Sequence, residues 1–145
     1  MKHVYLWTAL AIAALVAAIV LWRTGPPHYP KVVAAFPGNI TMTFIEQPWS
    51  SQKKCAQENE NITAKVGGKC QNCRIKASCP TKLNTTETRA LRGQATGFPV
   101  VYTTVASTII DADAKTAMSI CNSMAEQITK QKIQHARCIA PANTH

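Results

Sequence analysis

Cys55-Ala56-Gln57-Glu58-Asn59-Glu60-Asn61-Ile62-Thr63 returns, in altered form, as Cys121-Asn122-Ser123-Met124-Ala125-Glu126-Gln127-Ile128-Thr129. At one constant offset of 66 residues the Cys, the second Glu, the Ile and the Thr recur, and Asn61 faces Gln127 within the match. The likeness continues downstream. Arg74-Ile75-Lys76 resembles Lys132-Ile133-Gln134, and Ala77-Ser78-Cys79 resembles Ala136-Arg137-Cys138 after a one-residue gap. A cysteine followed at similar spacing by a second cysteine, twice in one chain, indicates a duplicated structural unit.

Outward from the second copy, the elements are easy to read. Val100–Ile110 (VVYTTVASTII) is rich in β-branched residues and bounded by Pro99 and Asp111, so a single strand is expected there. Ala114, Ala117, Met118, Cys121, Met124, Ala125 and Ile128 then recur at helical spacing. They predict an amphipathic helix over 112–132, with Asp111 as N-cap, Asp113 in the first turn and Lys130 and Lys132 at the C-terminal end. Ile133–Ala140 reads as extended, with Ala136, Cys138 and Ala140 on one face.

The first copy reads more weakly. Ile40–Ile45 (ITMTFI) alternates like a strand, a helix from about Ser50 to Val66 ends at Gly67-Gly68, and Arg74–Cys79 alternates again. The apolar stripe of that helix is thin: Cys55, Ile62 and Val66. Two tandem β-α-β units give an α+β fold of ferredoxin-like βαββαβ order, an antiparallel sheet covered by two helices.

The repeat also predicts cysteine connectivity. A helix cysteine joins one on the following strand in each half, Cys55 to Cys79 and Cys121 to Cys138. Cys70 and Cys73 are left as a pair in Cys-Gln-Asn-Cys. Each long bridge contributes on the order of 3 kcal/mol by restricting the unfolded chain. A Cys-x-x-C element also raises an alternative, thiol–disulfide exchange through Cys70 and Cys73. Such enzymes hold the first cysteine at a helix N-terminus, whereas here Gly67-Gly68-Lys69 precedes it. Zinc would want a second close ligand pair beside Cys70, Cys73 and Cys79, and the four histidines are scattered, so no metal or other cofactor is expected.

Upstream of the repeat, Val4–Trp22 is nineteen residues without a charge, roughly 28 Å as a helix, which matches a bilayer core. Tyr5, Trp7 and Trp22 lie near its ends, with Lys2 and Arg23 outside them. A cleaved signal peptide is the competing reading, but Leu21-Trp22-Arg23-Thr24 is a poor cleavage site. All six cysteines follow this segment, which places the domain in an oxidising compartment, periplasmic or extracellular, with the N-terminus cytoplasmic. The expected organisation is a single-span anchor over 1–23, a Pro-rich spacer over 24–31, the domain over 32–141 and a short tail over 142–145.

With 16 Lys and Arg against 7 acidic residues the chain is basic, and all but Lys2 of its cations lie after Trp22. That charge favours an anionic partner: lipid headgroups, an acidic polymer or an acidic protein face. The connecting stretch Lys82–Phe98 is expected to be a loop, with Lys82, Arg89 and Arg92 as the candidate partner-binding residues. Nucleic acid is disfavoured, because no aromatic residues interleave with the cations. The chain carries no G-x-S-x-G, P-loop, G-x-G-x-x-G or H-E-x-x-H motif, and its few carboxylates read as helix caps or solvent-facing positions. The sequence therefore points away from an enzyme and toward a non-enzymatic binding or assembly component of a cell-envelope apparatus, of the secretion or polysaccharide-export kind.

Overall fold

Lys31–Phe36 (β1) and Ile40–Glu46 (β2) form an antiparallel hairpin across Pro37-Gly38-Asn39 in the computed structural model, which describes residues 25–131 and 134–142. Gly38 and Asn39 take φ of 86° and 60°, a left-handed backbone that these two residue types tolerate best. The chain continues through helix α1 (Gln52–Gly67) to strand β3 (Arg74–Ser78). A short helix α2 (Thr85–Leu91) leads into β4 (Val100–Tyr102) and β5 (Ala106–Asp111), then helix α3 (Ala114–Lys130) and β6 (Arg137–Ile139).

All six strands lie in one antiparallel sheet of order β3-β1-β2-β5-β4-β6. The order exposes the duplication. β3-β1-β2 and β6-β4-β5 are equivalent triplets meeting at a central β2–β5 seam, where Thr41 opposes Asp111 and Glu46 opposes Ala106. β2 and β3 run parallel with β1 between them, and β5 and β6 run parallel around β4. The repeated unit is thus ββαβ. The expected four-stranded βαββαβ sheet is corrected to six strands, with a third helix between the two units.

Two strands account for the difference. β1 (Lys-Val-Val-Ala-Ala-Phe) lacks polar alternation, and its inward residues Val32 and Ala34 are completely buried. The expected single strand over Val100–Ile110 is a hairpin. Its turn is held by a side chain: the Thr103 hydroxyl donates to the Ala106 carbonyl at 3.0 Å and accepts from the Ala106 N–H at 3.0 Å, beside a backbone bond of 2.9 Å. A threonine in a β-branched run does here what Gly or Asn usually signals.

Helix boundaries also move. Asp111, expected as N-cap, is still paired in the sheet, and Asp113 takes that role, its carboxylate accepting from the Thr116 N–H at 3.0 Å. The expected loop over 82–98 contains α2, opened by a capping box in which Asn84 and Glu87 bond each other's backbone N–H at 2.9 and 3.1 Å.

Two clusters hold the layers. On one face α2 buries Ala90 and Leu91 against Ile45, Val100 and Ile109, and the Ser107 hydroxyl donates to the Ala90 carbonyl at 2.8 Å. On the other, α3 buries Ala117, Cys121 and Ala125 against Val101 and Ile110. Glu87, nearly buried, forms an ion pair with Lys31 and so ties α2 across the seam to β1. α1 lies on the α3 side. Between the two helices Phe36, Phe44, Val66, Met124 and Ile128 line a cavity of about 350 Å³.

The three disulfides join Cys55 to Cys79, Cys121 to Cys138 and Cys70 to Cys73, the pairing that the duplication predicts. The first two tie each helix to the outermost strand of its own half.

Part of the expected spacer belongs to the folded domain. His28 bridges Trp49, the Tyr29 N–H donates to the Pro80 carbonyl at 2.9 Å, and Pro30 is fully buried. The segment Val4–Trp22 lies outside the described residues. Among the described residues no helix is long and apolar enough to cross a membrane.

Candidate functional site

Cys70 and Cys73 follow the C-terminal end of α1, where the Cys70 N–H donates to the Gly67 carbonyl at 3.3 Å and Asn72 adopts φ 71°. That is the negative end of the helix dipole, which disfavours a thiolate. The geometry weighs against an activated redox cysteine and suits a bridge that closes the turn into β3.

Lys82, Arg89 and Arg92 are all exposed, spread along α2 rather than gathered. Lys82 precedes the N-cap by two residues, while Arg92 is the C-cap at the other end of the helix, about 12 Å from the N-cap. Arg92 is followed by Gly93, whose carbonyl accepts from the Arg137 guanidinium at 3.3 Å; Arg137 also lies 5.1 Å from the Tyr102 ring centre. Gly93 has φ 68°, and a Cβ there would come within 3.0 Å of both Tyr102 and Arg137. The fold thus adds Arg137 to the C-terminal end of the basic stripe.

A second site was not anticipated. One face of α1, made of Gln52, Ala56, Asn59, Glu60, Thr63 and Ala64, looks across a cavity of about 650 Å³ toward Ala77, Ser78 and Cys79 at the β3 edge. These α1 residues follow helical spacing but are small or polar, and beside the contacts that Cys55 and Asn59 make with the end of β3 they leave this cavity open. Asn59 is only 5% exposed. Its amide donates to the Ser78 carbonyl at 2.8 Å and approaches the Cys79 sulfur at 3.2 Å, yet its Oδ1 is buried without a partner, as is the Thr63 Oγ1. A buried polar atom left unpaired costs on the order of 1–3 kcal/mol, so two beside one cavity require an explanation.

The other half supplies a control. At the offset of 66 residues Asn59 corresponds to Ala125, and Thr63 to Thr129. Ala125 is buried in the α3 core, and the Thr129 hydroxyl exchanges bonds of 3.3 Å with the N–H and carbonyl of Ala136. The equivalent hydroxyl is therefore satisfied by the backbone of Ala136 in one half and unsatisfied in the other. The cue in the sequence was Asn59, a polar residue between Cys55 and Ile62 on the buried stripe.

Electrostatics around α1 are modest. Burial raises the Glu46 carboxyl above its usual value, helped by repulsion from Glu58 and opposed by Lys65. Asp113 is lowered by its bond with Thr116, and Glu126 by its bond with Lys130. Among the described residues no group of His, Cys, Asp and Glu could hold a metal ion. Compared with known families, curated proteins and solved structures, the chain matches none.

Proposed function

We propose that the chain is a membrane-anchored, extracytoplasmic binding or assembly component of a cell-envelope apparatus of the secretion or polysaccharide-export type, acting without catalysis. The binding reading is carried by the α1–β3 groove, a concave surface along a sheet edge with hydrogen-bonding groups that lack partners. Its lining offers amide, hydroxyl and carboxylate groups, with no nucleophile–base pair. The anchor rests on the length and flanks of Val4–Trp22, and the compartment on three disulfides that use every cysteine. The basic stripe of Lys82, Arg89 and Arg92 is a second contact surface for an anionic protein or polymer.

Photo-crosslinking from positions along α2 in intact cells tests the assembly role. A discrete adduct with one envelope component is expected, abolished by Lys82→Glu/Arg89→Glu/Arg92→Glu while the thermal transition is retained. Adducts unchanged by the triple substitution would remove the stripe from the interface. Extraction of the full chain from membranes by carbonate, or reaction of its cysteines with an impermeant alkylating reagent without prior reduction, would overturn the anchor or the compartment.

A further inference from the structure

We infer that the α1–β3 groove receives an extended acidic segment of a protein partner, which adds to β3 as a further strand of the sheet. This deepens the binding reading and rests on it, but it places the contact away from Lys82, Arg89 and Arg92.

β3 is an edge strand. Among the described residues it pairs with β1 alone, and no backbone hydrogen bond joins its other side to any segment. Alternate N–H and C=O groups of such a strand point outward and form a template for another chain. At the opposite edge β6 has only three residues, against five in β3. Strand addition also needs a place for the side chains of the incoming segment, and the cavity beside Ala77 and Ser78 provides it, with α1 as its far wall.

The unpartnered atoms say what enters. Asn59 Oδ1 accepts only, so it calls for a donor, and Thr63 Oγ1 can give or accept. The equivalent Thr129 bonds both backbone groups of Ala136, the residue before β6.

Charge selects the partner. Val33 opposes Lys76 and Ala35 opposes Arg74, so both cations project from the sheet face away from α1, and both are exposed. Neither is in a salt bridge among the described residues. In a centred antiparallel pairing of two β3 strands, Lys76 would face Lys76, which disfavours a second copy of this chain. A segment with acidic residues at alternate positions matches Arg74 and Lys76 on that face, while its intervening small donors face the cavity.

The test uses the full chain in detergent micelles, with an acetylated, amidated peptide of alternating Glu and Thr about seven residues long, enough to span β3. Its controls are the Lys/Thr counterpart and the Glu/Thr peptide N-methylated at alternate nitrogens. Amide exchange and shifts of β3 are read by NMR. The Glu/Thr peptide is expected to slow exchange at alternate β3 amides, and both controls to bind at least ~10-fold more weakly. Asn59→Ala should weaken binding, and Ala56→Trp, on an exposed helix position, should block the groove without disturbing the core. Absence of any β3 response at millimolar peptide, equal binding of the Lys/Thr peptide, or a response confined to α2 would each overturn the inference. The last result would leave the broader binding reading standing on the basic stripe, and crosslinking along α2 that survives loss of the groove would do the same.

Discussion

The first half of the molecule (β1, β2, α1, β3) and the second (β4, β5, α3, β6) share a skeleton and a staple but differ in how tightly they close. In the second half α3 starts about a turn earlier relative to the repeat and presents Ala117, Cys121 and Ala125 to the sheet. In the first half α1 buries Cys55, Asn59 and Ile62, and a polar residue occupies the place of an alanine. Here one copy is packed, and the other keeps a cavity along the sheet edge.

Removing the staples should separate the halves most strongly. Cys121→Ser/Cys138→Ser is expected to lower global stability by about 3 kcal/mol in denaturant titration. Cys55→Ser/Cys79→Ser should cost a similar amount, but hydrogen exchange should show α1 and β3 opening alone while α3 stays protected. Uniform loss of protection in both variants would mean that the halves form one cooperative unit. Glu87→Ala comes next. It removes the Glu87 half of the α2 capping box, while the N–H at 87 still donates to Asn84, and it leaves Lys31 without its partner, for an expected loss of about 2 kcal/mol by thermal or chemical unfolding.

A sharper contrast comes from one methyl-for-hydroxyl exchange made in each half. Thr129→Val should cost about 1 kcal/mol because two bonds to Ala136 are lost. Thr63→Val should be neutral or slightly stabilising, since its hydroxyl has no partner to lose. Equal costs would erase the distinction on which the open groove depends.

The smallest effect concerns Glu46, whose counterpart at the repeat offset is Ala112. Its folded-state pKa is raised, so the folded chain holds the proton more tightly than the unfolded chain does. Stability therefore falls as pH rises from the ordinary value of 4.5 through the raised one. Glu46→Gln should be more stable than the parent by under ~1 kcal/mol at neutral pH, with the gain vanishing in acid. A gain that persists in acid would assign the effect to packing.

Much of this comparison was legible in the residues, for identifiable reasons. The six cysteines carry unambiguous chemistry, and the 66-residue offset ordered them into pairs that six cysteines alone would leave open. α3 was readable because seven apolar positions kept helical spacing. β1 was not, because Ala34 and Ala35 blunt any alternation, and the β4–β5 turn was hidden because Thr103 belongs equally well in a strand. α2 is too short for periodicity, although Asn84-Thr85-Thr86-Glu87 spells its capping box. The basic residues of 82–92 were visible as charge, but their spread along a helix was not. The groove depended on the distance between α1 and β3, which no local pattern encodes.

The cysteine connectivity has a consequence for how the chain matures. No bridge crosses the β2–β5 seam, so each half carries its own bridges. Cys121 and Cys138 are nearest neighbours in sequence. In the first half the Cys70–Cys73 bridge is nested inside the Cys55–Cys79 loop, so a chain emerging from its N-terminus exposes Cys55 and Cys70 before Cys79 arrives. A bond between those two would be non-native. Thiol exchange would be the route by which such a bond rearranged, so the half with the open groove is also the half whose cysteines offer an early wrong pairing.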